Sequence, residues 1–172
     1  MKRAFFVFLA ILFFGGFVIP VSSANNQEYS IKAAFIYNFI KFVEWPKDDC
    51  PELCLCIYGK DPFGKVIDSL EGKVVKGKII RVLRIPENAP LSHCDVLFLS
   101  AEEKDHQEKV LSLCSESPTL TIGETKDFLE QGGIIKFILL NNKIRFEINA
   151  TQAKRIGLKL SSKLLRLAKK VK

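Results

Sequence analysis

The sequence has 172 residues, of which 48% are hydrophobic, and its 26 basic residues outnumber its 19 acidic residues to give a formal net charge of +7. A chain of this length suits a single domain. No stretch after residue 24 approaches the roughly 18 unbroken apolar residues that cross a bilayer, which excludes a multi-span membrane protein and predicts a soluble mature chain.

Residues 1–24 have the layout of a secretory signal peptide. A short cationic start, Met1-Lys2-Arg3, precedes an apolar stretch over residues 4–19, and small residues occupy the −3 and −1 positions of a cut after Ala24. We therefore expect export, cleavage and a mature domain of residues 25–172. The alternative is an uncleaved membrane anchor, for which this apolar stretch is short. A nucleic-acid partner is not expected for an exported protein.

The first element of the mature chain is a helix predicted over residues 28–43. Ile31, Phe35 and Phe39 fall near helical spacing. Further apolar residues widen this surface, so we expect the helix to be buried on more than one side. Trp45-Pro46 ends it, because the residue before a proline avoids helical angles.

Two strands buried on both faces of a sheet are predicted over residues 53–58, which are all apolar, and over residues 95–99, which are apolar after Asp95. Each is followed by a stretch with helical character, which is the arrangement of a β-α-β unit and hence of a parallel sheet. A third strand with some alternation is predicted over residues 79–85. The remaining elements predicted in this half are short helices at 65–70 and 126–131, a weak extended piece at 74–77, a helix at 102–113 and a strand at 119–123.

The C-terminal part predicts a hairpin followed by a long helix. Strands over residues 134–140 and 144–148 flank Asn141-Asn142-Lys143, and asparagine tolerates the positive φ angles of a tight turn. Asn149 is placed to cap a helix from residue 150 to about residue 170. The predicted fold is a single α/β domain with a mixed sheet, a parallel β-α-β core, a hairpin in the C-terminal half and a long basic amphipathic terminal helix.

The terminal helix is predicted to carry many basic residues beside one apolar stripe, and no acidic residue follows Glu147. One interpretation is a solvated face whose charges suit the C-terminal end of a helix. The other is a contact surface for anionic lipid head groups or an acidic protein partner. The candidate partner-binding residues on this surface are Lys159, Lys163 and Arg166.

A second candidate site lies at the end of the hairpin. On a strand, Arg145, Glu147 and Asn149 point to one face, and a guanidinium group can bind a ligand through paired hydrogen bonds. Together with Arg155 they form a candidate small-ligand site. The alternative is an Arg–Glu pair that decorates a solvent-facing edge.

Five cysteines in an exported chain raise the question of disulfides, and the odd number leaves at least one outside an internal pair. Cys56 on the first core strand and Cys94 just before the second are the favoured pair if those strands are close. Cys50 and Cys54 could close a small loop, and Cys114 could be a buried apolar residue. A zinc site is the rival interpretation, but the chain has only two histidines and no paired C-x-x-C motif.

No catalytic constellation is apparent. The sequence has neither a G-x-S-x-G elbow nor a complete G-x-x-x-x-G-K-[ST] phosphate loop, and neither histidine forms an evident base–nucleophile pair. The turn Asp61-Pro62-Phe63-Gly64 follows a strand, where α/β sheets often bind ligands, but a proline-started helix is the favoured interpretation. We expect a protein that is not an enzyme and needs no cofactor.

Several segments, in the same order, resemble the YfiR family, and the resemblance covers about residues 29–171. They are Ile31 to Pro46, Cys56-Ile57-Tyr58-Gly59-Lys60-Asp61-Pro62-Phe63-Gly64, His93-Cys94-Asp95-Val96-Leu97-Phe98-Leu99-Ser100, Gly132-Gly133-Ile134-Ile135, Arg145-Phe146-Glu147-Ile148-Asn149 and Arg155 to Ala168.

This resemblance implies a periplasmic α/β protein that binds the periplasmic sensor part of a membrane-bound diguanylate cyclase and keeps cyclic di-GMP output low. Release under redox or envelope stress would raise that output and favour biofilm. The resemblance also implies a disulfide between the Cys56 and Cys94 positions, and a homodimer is common in the family. Cys50, Cys54 and Cys114 depart from the family pattern, so redox sensing through a second bridge is not implied.

Overall fold

A computed structural model describes residues 22–46 and 50–172. Residues 1–21 of the predicted signal segment lie outside the described residues. The helices and strands are, in chain order, α1 (Ser22–Phe42), β1 (Val43–Glu44), β2 (Glu52–Tyr58), β3 (Val74–Val75), β4 (Lys78–Ile85), β5 (Val96–Leu99), α2 (Gln107–Leu113), β6 (Leu120–Gly123), β7 (Ile135–Leu140), β8 (Lys143–Ile148), α3 (Ala150–Arg155), β9 (Lys159–Leu160), α4 (Ser162–Leu167) and β10 (Lys170–Val171), with 3-10 helices at Gly64–Leu70 and Ala101–Glu103.

The predicted parallel core is confirmed. The described residues form an eight-stranded sheet in the order β10-β8-β7-β6-β5-β2-β4-β3. The five strands from β7 to β4 in this order are mutually parallel, while β3 and β8 add antiparallel strands on either side of them. In the centre, Leu55 of β2 lies between Val82 of β4 and Val96 of β5. The sheet is therefore mixed around a parallel core.

Two hydrophobic clusters cover the two faces of this sheet. On the first face α1 packs with Ile36, Phe39 and Ile40, each at most 1% exposed. On the second face α2 packs Val110 and Leu111 against the central strands. Because both faces are covered, β5 and the part of β2 from Leu53 onward have apolar side chains on both faces, which explains their apolar runs.

The predicted hairpin is also confirmed. β7 and β8 pair antiparallel, with Leu140 opposite Lys143. The turn residues Asn141 and Asn142 have φ angles of 50° and 56°. Both values lie in the left-handed region that asparagine tolerates, as a two-residue hairpin turn requires.

The prediction of one long terminal helix is wrong. The chain forms α3, the short strand β9, α4 and the short strand β10 in its place. Gly157 has a φ of +82°, and the amides of Gly157 and Leu158 donate to the carbonyls of Lys154 and Ala153, which closes the end of α3. Ser161 then starts α4, because its side chain accepts a hydrogen bond from the Leu164 amide at 3.2 Å.

Two shorter helices also differ from the prediction. Residues 126–131 form turns, in which the fully buried Phe128 accepts a hydrogen bond through its carbonyl from the Gly133 amide at 2.8 Å. The predicted helix 102–113 is a 3-10 turn followed by α2. The interruption coincides with Glu103, whose buried carboxylate accepts a hydrogen bond from the Lys60 amide at 2.9 Å. In both places a contact to a residue outside the predicted helix overrides local helix propensity.

Within residues 22–46 and 50–172, no helix combines the length and the apolar character needed to span a bilayer.

Candidate interaction surface

Four phenylalanines fix α1 on the hairpin. Phe35 and Phe39 of α1 contact Phe137 of β7 and Phe146 of β8, with ring centroids 4.9 to 6.1 Å apart. Such tilted and edge-to-face pairs add to the energy of apolar burial. These ring contacts set the position of α1 relative to the hairpin.

A groove lies between the N-terminal half of α1 and the tip of the hairpin, and we call it the hairpin groove. Its volume is about 590 Å³. Ile31 and Leu139 line it and are 42% and 65% exposed, respectively. The full lining is Gln27, Glu28, Ile31, Phe35, Leu139, Asn142, Lys143, Ile144 and Arg145.

A second groove of about 330 Å³ lies between α1 and α4, and we call it the α4 groove. Lys163 places its Nζ atom 5.1 Å from the centroid of the Phe42 ring, a cation–π contact. Leu167 lies on the same groove and is 58% exposed. The full lining is Phe35, Asn38, Phe39, Lys41, Phe42, Phe146, Lys163, Leu164 and Leu167.

The two grooves meet at Phe35, which lines both. We call the combined feature the α1 surface. Lys143 and Arg145 lie at its hairpin end and Lys41 and Lys163 at its other end, against the single acidic residue Glu28 in the two linings. A surface with exposed apolar side chains and a positive rim can bind a partner that presents apolar side chains among acidic residues.

The structure does not gather the four predicted ligand residues around one cavity. Arg145 lines the hairpin groove and donates from Nη1 to the carbonyl of Ile144 at 3.0 Å. Glu147 lies on the same face of β8 but pairs with Lys136 at 2.9 Å. Asn149 caps α3 by accepting from the Gln152 amide at 3.0 Å. Its side-chain amide also donates to the carbonyl of Leu129.

Arg155, the fourth predicted ligand residue, is exposed, and its Nη2 lies 3.4 Å from the carbonyl of Ser115. Glu147 and Asn149 are thus engaged in structural contacts. Arg145 is the member of this set whose position still suits a ligand in the hairpin groove.

The three predicted partner-binding residues do not share one helix, because the terminal segment forms the separate elements β9 and α4. Lys159 lies on β9, opposite Glu44 of β1. Lys163 lies on α4 and lines the α4 groove, and Arg166 is exposed one turn further on. The structure therefore adds Lys163 to the α1 surface and places Lys159 in a small separate sheet.

Cys56 and Cys94 form a disulfide, with their Cα atoms 5.8 Å apart. Both residues belong to the apolar cluster on the second face of the sheet. Cys54 is half-buried and Cys114 is buried, and neither is part of a disulfide. Burial raises the pKa of the Cys114 thiol to about 11. Cys114 therefore behaves as the buried apolar residue that the sequence suggests.

A buried polar cluster at the carboxyl end of the sheet was missed in the sequence. Lys32 of α1 is 5% exposed and pairs with Glu28 and with Glu124, which directly follows β6. The Tyr29 hydroxyl donates to Glu124 at 3.2 Å, and burial together with that carboxylate raises the pKa of Tyr29. The available signal was a lysine on the apolar side of the first helix, four residues after a glutamate.

The turn after β2 serves a structural purpose. Asp61 accepts hydrogen bonds from the Phe63 and Gly64 amides at 2.7 and 3.3 Å, and it pairs with Arg84 at 2.7 Å. The carboxylate is committed to holding the turn and the start of the 3-10 helix, which favours the structural interpretation of this motif.

Similar structures agree with this fold. A conserved domain protein from Vibrio cholerae O1 biovar El Tor superposes with a TM-score of 0.59 at 12% identity, covering 84% of this chain and 60% of that one. An ABC domain from Streptococcus pneumonia, solved in complex with L-Trp, has a TM-score of 0.50 at 11% identity, covering 70% of this chain and 55% of its own. The present chain therefore spans little more than half the length of either structure, and these likenesses concern the fold alone.

No curated protein matches the sequence significantly. The model of the DUF4154 family, described as YfiR/HmsC-like, matches residues 29–169. This range includes both grooves of the α1 surface apart from Gln27 and Glu28. Because the match spans most of the chain, this protein belongs to the YfiR/HmsC-like family.

Proposed function

We propose that this protein is a periplasmic repressor that binds the periplasmic sensor part of a membrane-bound diguanylate cyclase and lowers cyclic di-GMP signalling. Residues 1–24 would direct export and would be removed by cleavage after Ala24, and the protein would act without catalysis. Family membership supports the class of partner. The α1 surface supports the mode of action, since it offers exposed apolar side chains and a positive rim.

The mechanism we propose is a population shift. A repressor that binds one conformation of the sensor more tightly than another stabilises that conformation and needs no reaction of its own. The apolar side chains of Ile31, Leu139 and Leu167, 42%, 65% and 58% exposed, would supply binding energy on burial. The lysines around them would select an acidic partner and speed association.

The observation that carries the proposal is the continuity of the two grooves at Phe35. It gives one extended surface from the hairpin tip to α4. The test is direct binding between the purified protein and the periplasmic sensor domain of a diguanylate cyclase encoded beside it. Cyclic di-GMP levels should rise when the gene is deleted and fall when it is restored. No binding together with unchanged cyclic di-GMP would contradict the proposal.

Two substitutions test whether the sensor binds the α1 surface or another part of the molecule. Leu167→Asp should weaken sensor binding by about tenfold or more, because it replaces an apolar contact with a charge. Leu113→Asp is the matched control, because Leu113 is 62% exposed but lies on α2, on the opposite face of the sheet. Leu113→Asp should keep the affinity for the sensor within about twofold of the wild-type value. Equal losses for both variants would rule out the α1 surface as the contact.

A second candidate function is a small-ligand sensor, which the hairpin groove favours because Arg145 lines it beside apolar side chains. A thermal-shift screen with amino acids and nucleotides tests this, since a ligand stabilises the folded state to which it binds. Arg145→Gln should abolish the shift produced by an anionic ligand. The two functions are compatible if the ligand tunes partner binding. Stabilisation of the protein without sensor binding would favour the ligand sensor alone.

Two further expectations belong to the same proposal. Intact-mass analysis of protein from the periplasmic fraction should give the mass of residues 25–172, and retention of the N-terminal segment would favour a membrane anchor. Sedimentation should show the homodimer that is common in the family.

A further inference from the structure

Three potential metal ligands outside the α1 surface lie close together. Single ligand atoms of Glu87, Glu103 and His106 all fall within 4.8 Å of one another. The His106 Nδ1 atom is 3.3 Å from Glu103 Oε2, and its Nε2 atom is 3.5 Å from Glu87 Oε2. One nitrogen and two carboxylate oxygens form a mixed donor set that suits zinc and its first-row neighbours.

The place of this cluster in the fold points to a ligand. The chain passes from β2 to β4 on one side and then crosses to β5 on the other side of β2. In parallel α/β sheets, ligands bind beyond the carboxyl ends of the strands where the connections change direction in this way. Glu87 follows the end of β4, while Glu103 and His106 follow the end of β5.

Glu103 is positioned as an oriented metal ligand would be. Its Oε1 atom accepts a hydrogen bond from the Lys60 amide at 2.9 Å, which leaves Oε2 directed toward His106. Gly59 makes this approach possible, because a Cβ atom there would lie 2.1 Å from Glu103 Oε1. Contacts of this kind fix ligand orientation around protein-bound metals.

The charged groups of the cluster favour the binding of a cation. The Glu103 side chain is 6% exposed, and its ion-pair partner among the described residues is His106. The nearby Lys60 ammonium pairs instead with Glu102 at 2.7 Å. Among the described residues, neither the Glu87 nor the Glu103 carboxylate pairs with a lysine or an arginine. Burial of an uncompensated carboxylate is costly, and a divalent cation removes that cost.

The spacing is compatible with one ion. Ligands at 2.0–2.2 Å from a tetrahedral metal lie about 3.4 Å apart, close to the 3.3 Å between His106 Nδ1 and Glu103 Oε2. The Glu87 side chain is 51% exposed and can turn toward the same point. We propose that Glu87, Glu103 and His106 bind a first-row divalent transition metal, for which Zn²⁺ is the probe. Water would complete the coordination.

The experiment is calorimetric titration of the chelator-treated protein with Zn²⁺, followed by thermal unfolding with and without the ion. We expect one ion per chain and a higher Tm with Zn²⁺. Co²⁺ in place of Zn²⁺ should give the visible absorption of a coordinated site. An unsaturable titration with no change in Tm would overturn the proposal and leave the cluster as an imidazole bridging two carboxylates.

Matched variants locate the site. His106→Asn and Glu87→Gln should each lower Zn²⁺ affinity by about tenfold or more. His93→Asn is the control, because His93 is the other of the two histidines, is exposed and is outside the cluster. The Zn²⁺ affinity of the His93→Asn variant should equal that of the wild type. Glu87 is exposed, so Glu87→Gln keeps the test valid even if His106→Asn unfolds. Unchanged affinity in Glu87→Gln, or an equal loss in His93→Asn, would refute the site.

Discussion

Lys32 of α1 and Glu124, the residue after β6, form an ion pair in which the side chains are only 6% and 9% exposed. This contact ties the N-terminal half of α1, and with it one end of the α1 surface, to the carboxyl end of the parallel sheet. The Tyr29 ring adds a cation–π contact, with its centroid 4.3 Å from the Lys32 ammonium. The position of the surface therefore depends on a polar contact as well as on the phenylalanine cluster.

We predict that Lys32→Met destabilises the fold by about 3 kcal/mol or more, because it leaves the buried Glu124 carboxylate without its charged partner. Urea unfolding measures this free energy. Lys41→Met is the control, since Lys41 lies on the same helix but is exposed, and it should cost less than about 1 kcal/mol. Equal costs for both variants would mean that the buried pair contributes nothing specific.

Gly157→Ala tests the break in the terminal segment. Gly157 has a φ of +82°, where a side chain costs about 1–2 kcal/mol, so we predict a loss of stability of that size. In one continuous helix the same change would stabilise the protein by about 1 kcal/mol. The sign of the change in unfolding free energy thus distinguishes the two structures. A stabilised variant would contradict the ending of α3 at this residue.

Removal of the disulfide should cost about 3–4 kcal/mol, because the bridge between Cys56 and Cys94 closes a loop with a sequence separation of 38 residues. The measurement is the urea midpoint of the Cys56→Ala/Cys94→Ala double variant. A reductant should lower the midpoint of the wild type and leave that of the variant unchanged. A wild-type midpoint insensitive to reductant would indicate that the bridge does not stabilise the fold.

The raised pKa of the Cys114 thiol predicts that the protein becomes less stable at alkaline pH. Burial raises its pKa from 9.0 to about 11. Between these values the folded protein keeps a proton that the unfolded chain releases, so the unfolding free energy falls as pH rises. For one proton the slope is about 1.4 kcal/mol per pH unit. Below pH 9 this contribution is fully present.

The comparison with Cys114→Ala isolates this effect, because Tyr29, whose pKa is also raised, remains in both proteins. The difference in unfolding free energy between wild type and variant should shrink as pH rises from 9 to 11. A difference that stays constant over this range would contradict a buried thiol with a raised pKa.

Much of the fold follows from local patterns. The apolar runs of β2 and β5 predicted a doubly covered parallel sheet, because an unbroken run can be satisfied only when both faces are buried. The turn at Asn141 and Asn142 and the cap at Asn149 were predictable, since each depends on the conformational and hydrogen-bonding preferences of single side chains. The pairing of Cys56 with Cys94 was favoured on the condition that their two strands are close, and the family resemblance implied the same pair; β2 and β5 are indeed neighbours.

The terminal segment shows where periodicity misleads. Apolar residues continue at helical spacing beyond Ile156, yet Gly157 ends α3 and Ser161 starts α4. Both signals were present in the sequence, but the apolar spacing outweighed them in the prediction. The short strand β9 can form because β1 lies alongside, with Val43 opposite Leu160, and such long-range pairing is invisible in a local pattern.

The sequence by itself determined which residues are buried in the sheet, where the hairpin turns and to which family the chain belongs, because these depend on local composition and order. The tertiary structure alone decided which polar side chains remain available for binding. It engaged Glu147 and Asn149 in a salt bridge and a helix cap, and left Arg145 on a groove. It also brought Glu87 to Glu103 and His106 from the ends of different strands. The physical reason is that side-chain partners are set by distances in space, which chain folding fixes independently of separation along the sequence.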